Sequence, residues 1–170
     1  NPGKQEKARD GFVSMNEPRT GNPMGTVAGK QETQENREGY MENLPDKELT
    51  EKIIAAAIQV HRELGPGYLE SVYEEALCLE LEASGMAFER QKSVEVRYRG
   101  QIVGLYRLDL LVESKVVVEL KAIKEFEPIH YSVVRSYLKA TGLATGLLLN
   151  FHSVPLAIKR IGREFKGSES

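Results

Sequence analysis

The stretch VVVELKA, residues 116–122, would be an ordinary buried β-strand but for Glu119 and Lys121. Side chains alternate across a strand, so residues two apart share a face: Glu119 and Lys121 project together while Val118 and Leu120 pack on the other side. A tight turn around Glu113, Ser114 and Lys115 folds the preceding segment back and brings Asp109, the lone charge in LDLLV, opposite Glu119 to within about one residue. Neighbouring acids repel, and each favours the other's protonated state unless a cation lies between them. Mg²⁺ meets that need: it takes one or two protein carboxylates, completes its shell with waters and phosphate oxygens, acidifies bound water and neutralises charge on a phosphodiester under attack. Mn²⁺ would serve the same ligands. Lys121 would hold the attacking water or stabilise the charge that builds on phosphorus. The same three residues also suit an ion-pair ladder on a half-exposed sheet, and spacing alone leaves both readings open.

The elements that must position these residues follow from the apolar period. Over residues 49–64, Ile53, Ile54, Ala57, Ile58, His61 and Leu64 form a helical stripe that stops at Gly65-Pro66-Gly67. A second helix beginning near Leu69 presents Leu69, Val72, Tyr73, Ala76, Leu77 and Leu81 and ends around Ser84-Gly85. The period then changes. Residues 88–98 alternate and are rich in β-branched and aromatic side chains, Arg99-Gly100 makes a turn, and residues 102–112 and 116–122 complete a three-stranded meander. Residues 128–141 open with Pro128 and close at Gly142, which predicts a helix. Residues 146–151 read as a short apolar strand, joined in parallel through that helix by a right-handed crossover. Residues 156–165 fit either a last strand or a short helix. Residues 1–45 lack apolar periodicity and are expected to be disordered or weakly attached, because they cannot bury enough surface to offset their ordering entropy. One domain over residues 46–166 and a flexible end at 167–170 complete the expected organisation.

Composition sets outer bounds. At 170 residues, 41% hydrophobic and 28% charged, the chain has the make-up of one soluble globular domain. The single cysteine, Cys78, cannot form an internal disulfide and sits on an apolar helical face, which suits packing in a reduced, cytoplasmic setting. No apolar run nears the roughly 20 residues that span a bilayer, and no secretory leader is visible, so neither a membrane partner nor export is expected. The net charge of −2 hides an asymmetry: residues 46–87 carry three Lys/Arg against nine Asp/Glu, and residues 88–170 carry fourteen against nine. A basic region of net +5 permits a phosphate-bearing partner without requiring one. Phosphate loops of the Walker type, zinc-ligand spacings and a Ser-His-Asp arrangement are all missing.

GYLESVY at 67–73 carries a G-x-x-E-x-x-Y signature; with HRELGPG before it, FERQ at 88–91, LDLLVESKVVVELKA and YLKATG at 137–142, the chain resembles the GxxExxY proteins, a branch of the PD-(D/E)XK nuclease-like superfamily. The resemblance covers about residues 47–163. It implies an α/β domain of restriction-endonuclease-like type, a mixed central sheet flanked by helices with two N-terminal helices before the meander. It also implies Mg²⁺-dependent cleavage of DNA or RNA, with Asp109 and Glu119 as the two acids, Lys121 as the motif lysine and Glu70 as a third carboxylate facing the metal. Glu70 lies one helical turn before Tyr73 at the border of the apolar stripe, although an acid in a first turn is also favourable on electrostatic grounds alone. Tyr73 itself reads as a core aromatic with a hydrogen-bonded hydroxyl. Arg97, Arg99, Arg107 and Lys124 are the candidate phosphate contacts. One departure stands out: Val133 occupies the position, four residues before Tyr137, where related sequences often carry glutamine. His130, Tyr131 and Arg135 are polar groups nearby, for which packing or solvation is the expected role. A catalytically silent domain that binds nucleic acid or a protein partner is therefore the rival expectation, and a homodimer is compatible with either.

Overall fold

The computed structural model describes residues 44–163. Of the tail expected over residues 1–45, all but Leu44 and Pro45 lies outside the described residues, as does the segment 167–170. In chain order the elements are α1 (Lys47–Leu64), α2 (Glu70–Ala83), β1 (Phe88–Tyr98), β2 (Gln101–Val112), β3 (Val116–Lys121), α3 (Pro128–Thr141), β4 (Thr145–Asn150) and β5 (Ala157–Gly162). The ambiguous last segment is a strand. Among the described residues, no helix is long and apolar enough to cross a membrane.

The five strands form one sheet in sequence order, antiparallel except between β3 and β4. Tight turns explain the meander. At Arg99-Gly100 and at Glu113-Ser114 both central residues have positive φ, the geometry that matches the right-handed twist of flanking strands. Gly100 adopts it without strain. Glu113 adopts it while tied down twice, since its carboxylate accepts from the Ala87 amide (2.6 Å) and its own amide donates to the Ala87 carbonyl (2.8 Å).

The alternation of β3 and β4 sends side chains to two cores. On one face Val116, Val118, Leu120, Leu147 and Leu149 meet α1 and α2 through Ile53, Ala57, Val60, Tyr73, Leu77 and Leu81. On the other, Val117 and Leu148 meet α3 through Val134, Tyr137 and Leu138. Both faces of the central strands are therefore covered, as a parallel pair requires. The approach of α3 to β4 is close enough that a Cβ on Gly146 would stand 2.5 Å from Val134 Cγ1. At the far end, Arg160 of β5 donates to Thr50 Oγ1 (2.6 Å) and to the Pro45 carbonyl, fastening the start of α1 to the sheet. A mixed sheet with helices on both faces, entered after two helices, is the restriction-endonuclease-like arrangement.

Candidate active site

The site forms where the meander comes apart. β2 and β3 pair at Val112↔Val116, Leu111↔Val117 and Leu110↔Val118, and no further. One step on, where Asp109 and Glu119 would face each other, Oδ2 of Asp109 accepts a hydrogen bond from the Leu120 amide at 2.9 Å, in place of a strand carbonyl. The disturbance reaches across β2. The β1–β2 ladder passes from Arg90↔Leu110 to Lys92↔Leu108, skipping the position where Gln91 lies opposite Asp109, and Gln91 has a φ of 49°. Leu108 and Leu110, two apart, consequently pack on opposite faces of the sheet. The expected proximity of Asp109 and β3 is present, produced by a break in the ladder instead of by regular pairing.

Two further carboxylates meet the same strand end. Glu70 opens α2, and its Oε1 accepts from the Ala122 amide at 3.2 Å. Glu119 is buried, 5% exposed; its Oε1 accepts from Lys121 Nζ at 2.7 Å, while its Oε2 is buried with no hydrogen-bond partner. Asp109, Glu119 and Glu70 are thus arranged around residues 119–122, with Lys121 among them.

Burial dominates the electrostatics. It raises the Glu119 carboxyl from an ordinary 4.5 to about 7, helped by the charge of Asp109 and opposed by the bond to Lys121. Burial also lifts Asp109, against the Leu120 amide and Lys121, with Glu74 and Glu70 adding to the rise. For Lys121 burial acts downward, but the bond to Glu119 and the surrounding carboxylates outweigh it and hold the ammonium above its usual value. The cluster therefore has more carboxylates than one lysine neutralises, and one oxygen of Glu119 has no donor and only the Asp109 carboxyl, another acid, to turn to. Among the described residues, no three His, Cys, Asp or Glu side chains already converge on a single point that would hold an ion. Glu70 and Asp109 each commit an oxygen to a backbone amide; half-buried Asp109 and buried Glu119 are the pair whose remaining oxygens suit a hard divalent ion completed by water or phosphate oxygens.

Several neighbours were not legible beforehand. Glu74, one turn after Glu70, accepts from Gln91 Nε2 (2.7 Å) and Arg90 Nε (3.1 Å), linking α2 to the irregular point of β1 opposite Asp109. Asn150, read as part of an apolar strand, is buried at the end of β4 beside Lys121; it accepts from the Ile123 amide (3.1 Å) and donates to the Ile123 carbonyl (2.7 Å), fixing the chain as it leaves β3. A lone amide closing the run TGLLLN was the signal available for it. On α3, Val133 packs into the apolar cluster, so its side chain brings no polar group to the site. The polar group that α3 does supply is the Tyr137 hydroxyl, pushed up to about 12 by burial and by the charges of Glu119 and Asp109.

Other residues fall where packing was expected. Tyr73 stacks on Phe151 (ring centroids 4.5 Å apart), and its hydroxyl donates to the Gly65 carbonyl (2.7 Å) and accepts from the Tyr68 amide. His130 Nδ1 accepts from the Glu127 amide and caps α3. Burial pushes the Cys78 thiol up to about 11, an unreactive state at neutral pH. The candidate phosphate contacts divide into two groups. Arg107 lies two residues before Asp109 and Lys124 three after Lys121; both are exposed and make no ion pair or side-chain hydrogen bond among the described residues. Arg97 and Arg99 lie at the distal β1–β2 turn, roughly seven to eight strand residues or about 25 Å along β2 from Asp109. There Arg97 is bound to Glu95 and the Gly100 carbonyl, and Arg99 lies 5.3 Å over the Tyr98 ring.

No curated protein matches the chain. Among solved structures, one described as the crystal structure of SSO0001 aligns at 20% identity with a TM-score of 0.43, covering 57% of this chain and 52% of that one, so the match spans about half of that protein's length. The family model described as the PD-(D/E)XK nuclease superfamily matches residues 47–161, from the start of α1 into β5 and across every carboxylate described above. The chain belongs to the PD-(D/E)XK nuclease superfamily.

Proposed function

We propose that the chain is a divalent-metal-dependent nuclease of the GxxExxY branch, hydrolysing phosphodiester bonds of DNA or RNA through a domain over residues 46–166. The observation that carries this reading is the buried Oε2 of Glu119, which has no hydrogen-bond donor, beside a second, half-buried acid, Asp109, with Lys121 as the one ammonium among the carboxylates. Burying such a group costs free energy unless something binds it, and a cation is the complement that also suits Asp109. Asp109, Glu119 and Glu70 are the residues that would hold Mg²⁺, or Mn²⁺ in its place; when bound, the ion acidifies water and neutralises phosphate charge. Lys121 supplies a fixed positive charge for the attacking water and for the oxygens that gain charge as the bond breaks. Arg107 and Lys124 flank the strand end and are free to contact the phosphates on either side of the cut.

A second reading, a silent nuclease-like domain that binds nucleic acid or a protein, is favoured by Val133, which closes the α3 side of the site with apolar packing. Incubation of plasmid, single-stranded DNA and RNA with Mg²⁺ or Mn²⁺ separates the two, with Glu119→Gln and Lys121→Ala as controls. Cleavage that both substitutions abolish is expected. Inertness on every substrate, together with no heat of metal binding by calorimetry, would leave the second reading standing.

A further inference from the structure

Two glycines lie inside strands, and only one has a reason in the packing. Gly146 of β4 sits under α3, where a Cβ would stand 2.5 Å from Val134 Cγ1. Gly104 of β2 has no positive φ, and a Cβ there would meet nothing within 4 Å. The bulge beside it, with Val103 as the extra residue between Val96↔Gly104 and Arg97↔Ile102, therefore does not need a glycine. Glycine weakens a strand interior, and one that neither backbone nor neighbour requires marks a place where something else approaches closely.

The side chains around Gly104 indicate what approaches. Cross-strand partners share a face, so Tyr106 opposite Val94 and Gly104 opposite Val96 lie on one side of the β1–β2 ribbon together with Lys92 and Tyr98. This is the side of α3: Val94 and Leu108 join the cluster of Val117, Val134 and Tyr137. Glu119 and Lys121, two and four residues after Val117, face the same way. Tyr106 is 36% exposed and meets Tyr137 edge-on, ring centroids 5.3 Å apart, and the Tyr137 hydroxyl in turn feels the charges of Glu119 and Asp109. Tyr98, 62% exposed, lies four residues or about 13 Å beyond Val94, and the Arg99 guanidinium is 5.3 Å from its ring centre. Between the two rings lies the bare backbone of Gly104, and no acid stands on this side of the ribbon from Lys92 to Tyr98 or from Gln101 to Leu108.

We propose that this face is a track for a single strand of DNA or RNA leading out of the acid cluster, with unpaired bases stacked on Tyr106 and Tyr98, the strand lying over Gly104, and Arg99 on a phosphate. Exposed aromatic rings beside a cation take unpaired bases of any sequence, whereas the bases of a duplex are already stacked on one another. The track rests on the nuclease reading and adds to it the form of the substrate, a strand unpaired beside the cut.

Fluorescence anisotropy on the full chain in EDTA, where no cleavage occurs, tests it at one fixed salt concentration with a labelled single-stranded DNA oligonucleotide, the RNA of the same sequence and the DNA duplex. The wild type is expected to bind at least one of the single strands about tenfold or more tighter than the duplex, and the better of the two identifies the nucleic acid. Gly104→Val places a β-branched side chain in open space, so it should keep or raise the melting temperature while weakening single-strand binding about tenfold. Tyr98→Ala should weaken that binding about 5–100-fold, and Tyr98→Phe should restore it, since the ring does the stacking. A wild type that binds no single strand, or binds duplex equally well, would overturn the track. So would a Gly104→Val or Tyr98→Ala protein that binds as the wild type does, or a Tyr98→Phe protein no better than Tyr98→Ala. A Gly104→Val protein that melts lower would return the glycine to the fold, and one whose mass by light scattering differs from the wild type would give the face to a second copy; either result overturns the track. The nuclease reading fails on a different measurement, the absence of wild-type cleavage with Mg²⁺ or Mn²⁺, so the two failures are distinguishable.

Discussion

Two ion pairs in this molecule have nearly the same length and very different surroundings. Lys121 and Glu119, near the end of β3, are 2.7 Å apart with side chains 19% and 6% exposed; Arg97 and Glu95, on the distal ribbon, are 2.6 Å apart at 55% and 47%. On the ribbon, water screens both charges and the pair adds little. Within β3 the same contact lies in a low-dielectric setting with a second acid alongside, and the Glu119 proton is retained up to about pH 7. Burial, more than the type of residue, separates a charge pair that only decorates a strand from one that can do chemistry.

The largest expected effect breaks the comparison at its chemical end. Glu119→Gln keeps the shape of the buried side chain and removes its charge; nuclease activity should fall by about 10²–10³-fold or more, read as initial rate on the best substrate, with the fold retained. If the Glu119→Gln variant cleaved as well as the wild type, the buried acid would have no catalytic role. Lys121→Ala leaves Glu119 without its cation and should cost about 3–5 kcal/mol in urea unfolding at pH 8, less at pH 5, where Glu119 can bind a proton instead. Arg97→Ala, the matching change on the ribbon, should stay within about 1 kcal/mol at both pH values.

The pH dependence sharpens the same contrast. Glu119 has a folded value of about 7 against an ordinary 4.5, so its contribution to stability is fully present below pH 4.5 and is lost as pH rises through 7. Relative to Glu119→Gln, the wild type should lose about 3 kcal/mol between pH 4.5 and 8, by the linkage of about 1.4 kcal/mol per pH unit. Divalent-ion affinity should show the opposite trend, weakening about tenfold per unit below pH 7 because the ion must displace that proton. Gly146→Ala probes the packing behind the site: its Cβ must displace Val134, at an expected cost of about 1–3 kcal/mol in thermal or urea unfolding. The smallest effect belongs to the turn that aligns β2 with β3. Ser114 has a φ of 54°, so Ser114→Gly relieves backbone strain and should change stability by no more than about 1 kcal/mol, in the stabilising direction.

Much of this architecture was legible from local pattern. Apolar residues at helical spacing, Gly65-Pro66-Gly67 as a stop, Pro128 and Gly142 as the ends of α3, and the turns at Arg99-Gly100 and around Ser114 each act over a few residues, and all lie where expected. The last strand was ambiguous because Leu156, Ile158 and Ile161 fit two periods; the ladder to β4, from Thr145↔Gly162 to Asn150↔Ala157, resolves it. Asn150 carries no local signal of its role, because its value lies in two bonds to Ile123, a residue 27 positions away.

For the site the division is sharper. That Glu119 and Lys121 share a face, that Asp109 comes near them across a tight turn, and that α3 offers Val133 instead of an amide all follow from strand alternation, turn length and residue identity. Packing of the whole chain sets the rest: the β2–β3 ladder stops at Leu110, Asp109 and Glu70 commit oxygens to the Leu120 and Ala122 amides, and Oε2 of Glu119 is buried without a hydrogen-bond donor. Burial and hydrogen-bond satisfaction depend on every element packed around a group, and those elements arrive from positions far along the chain.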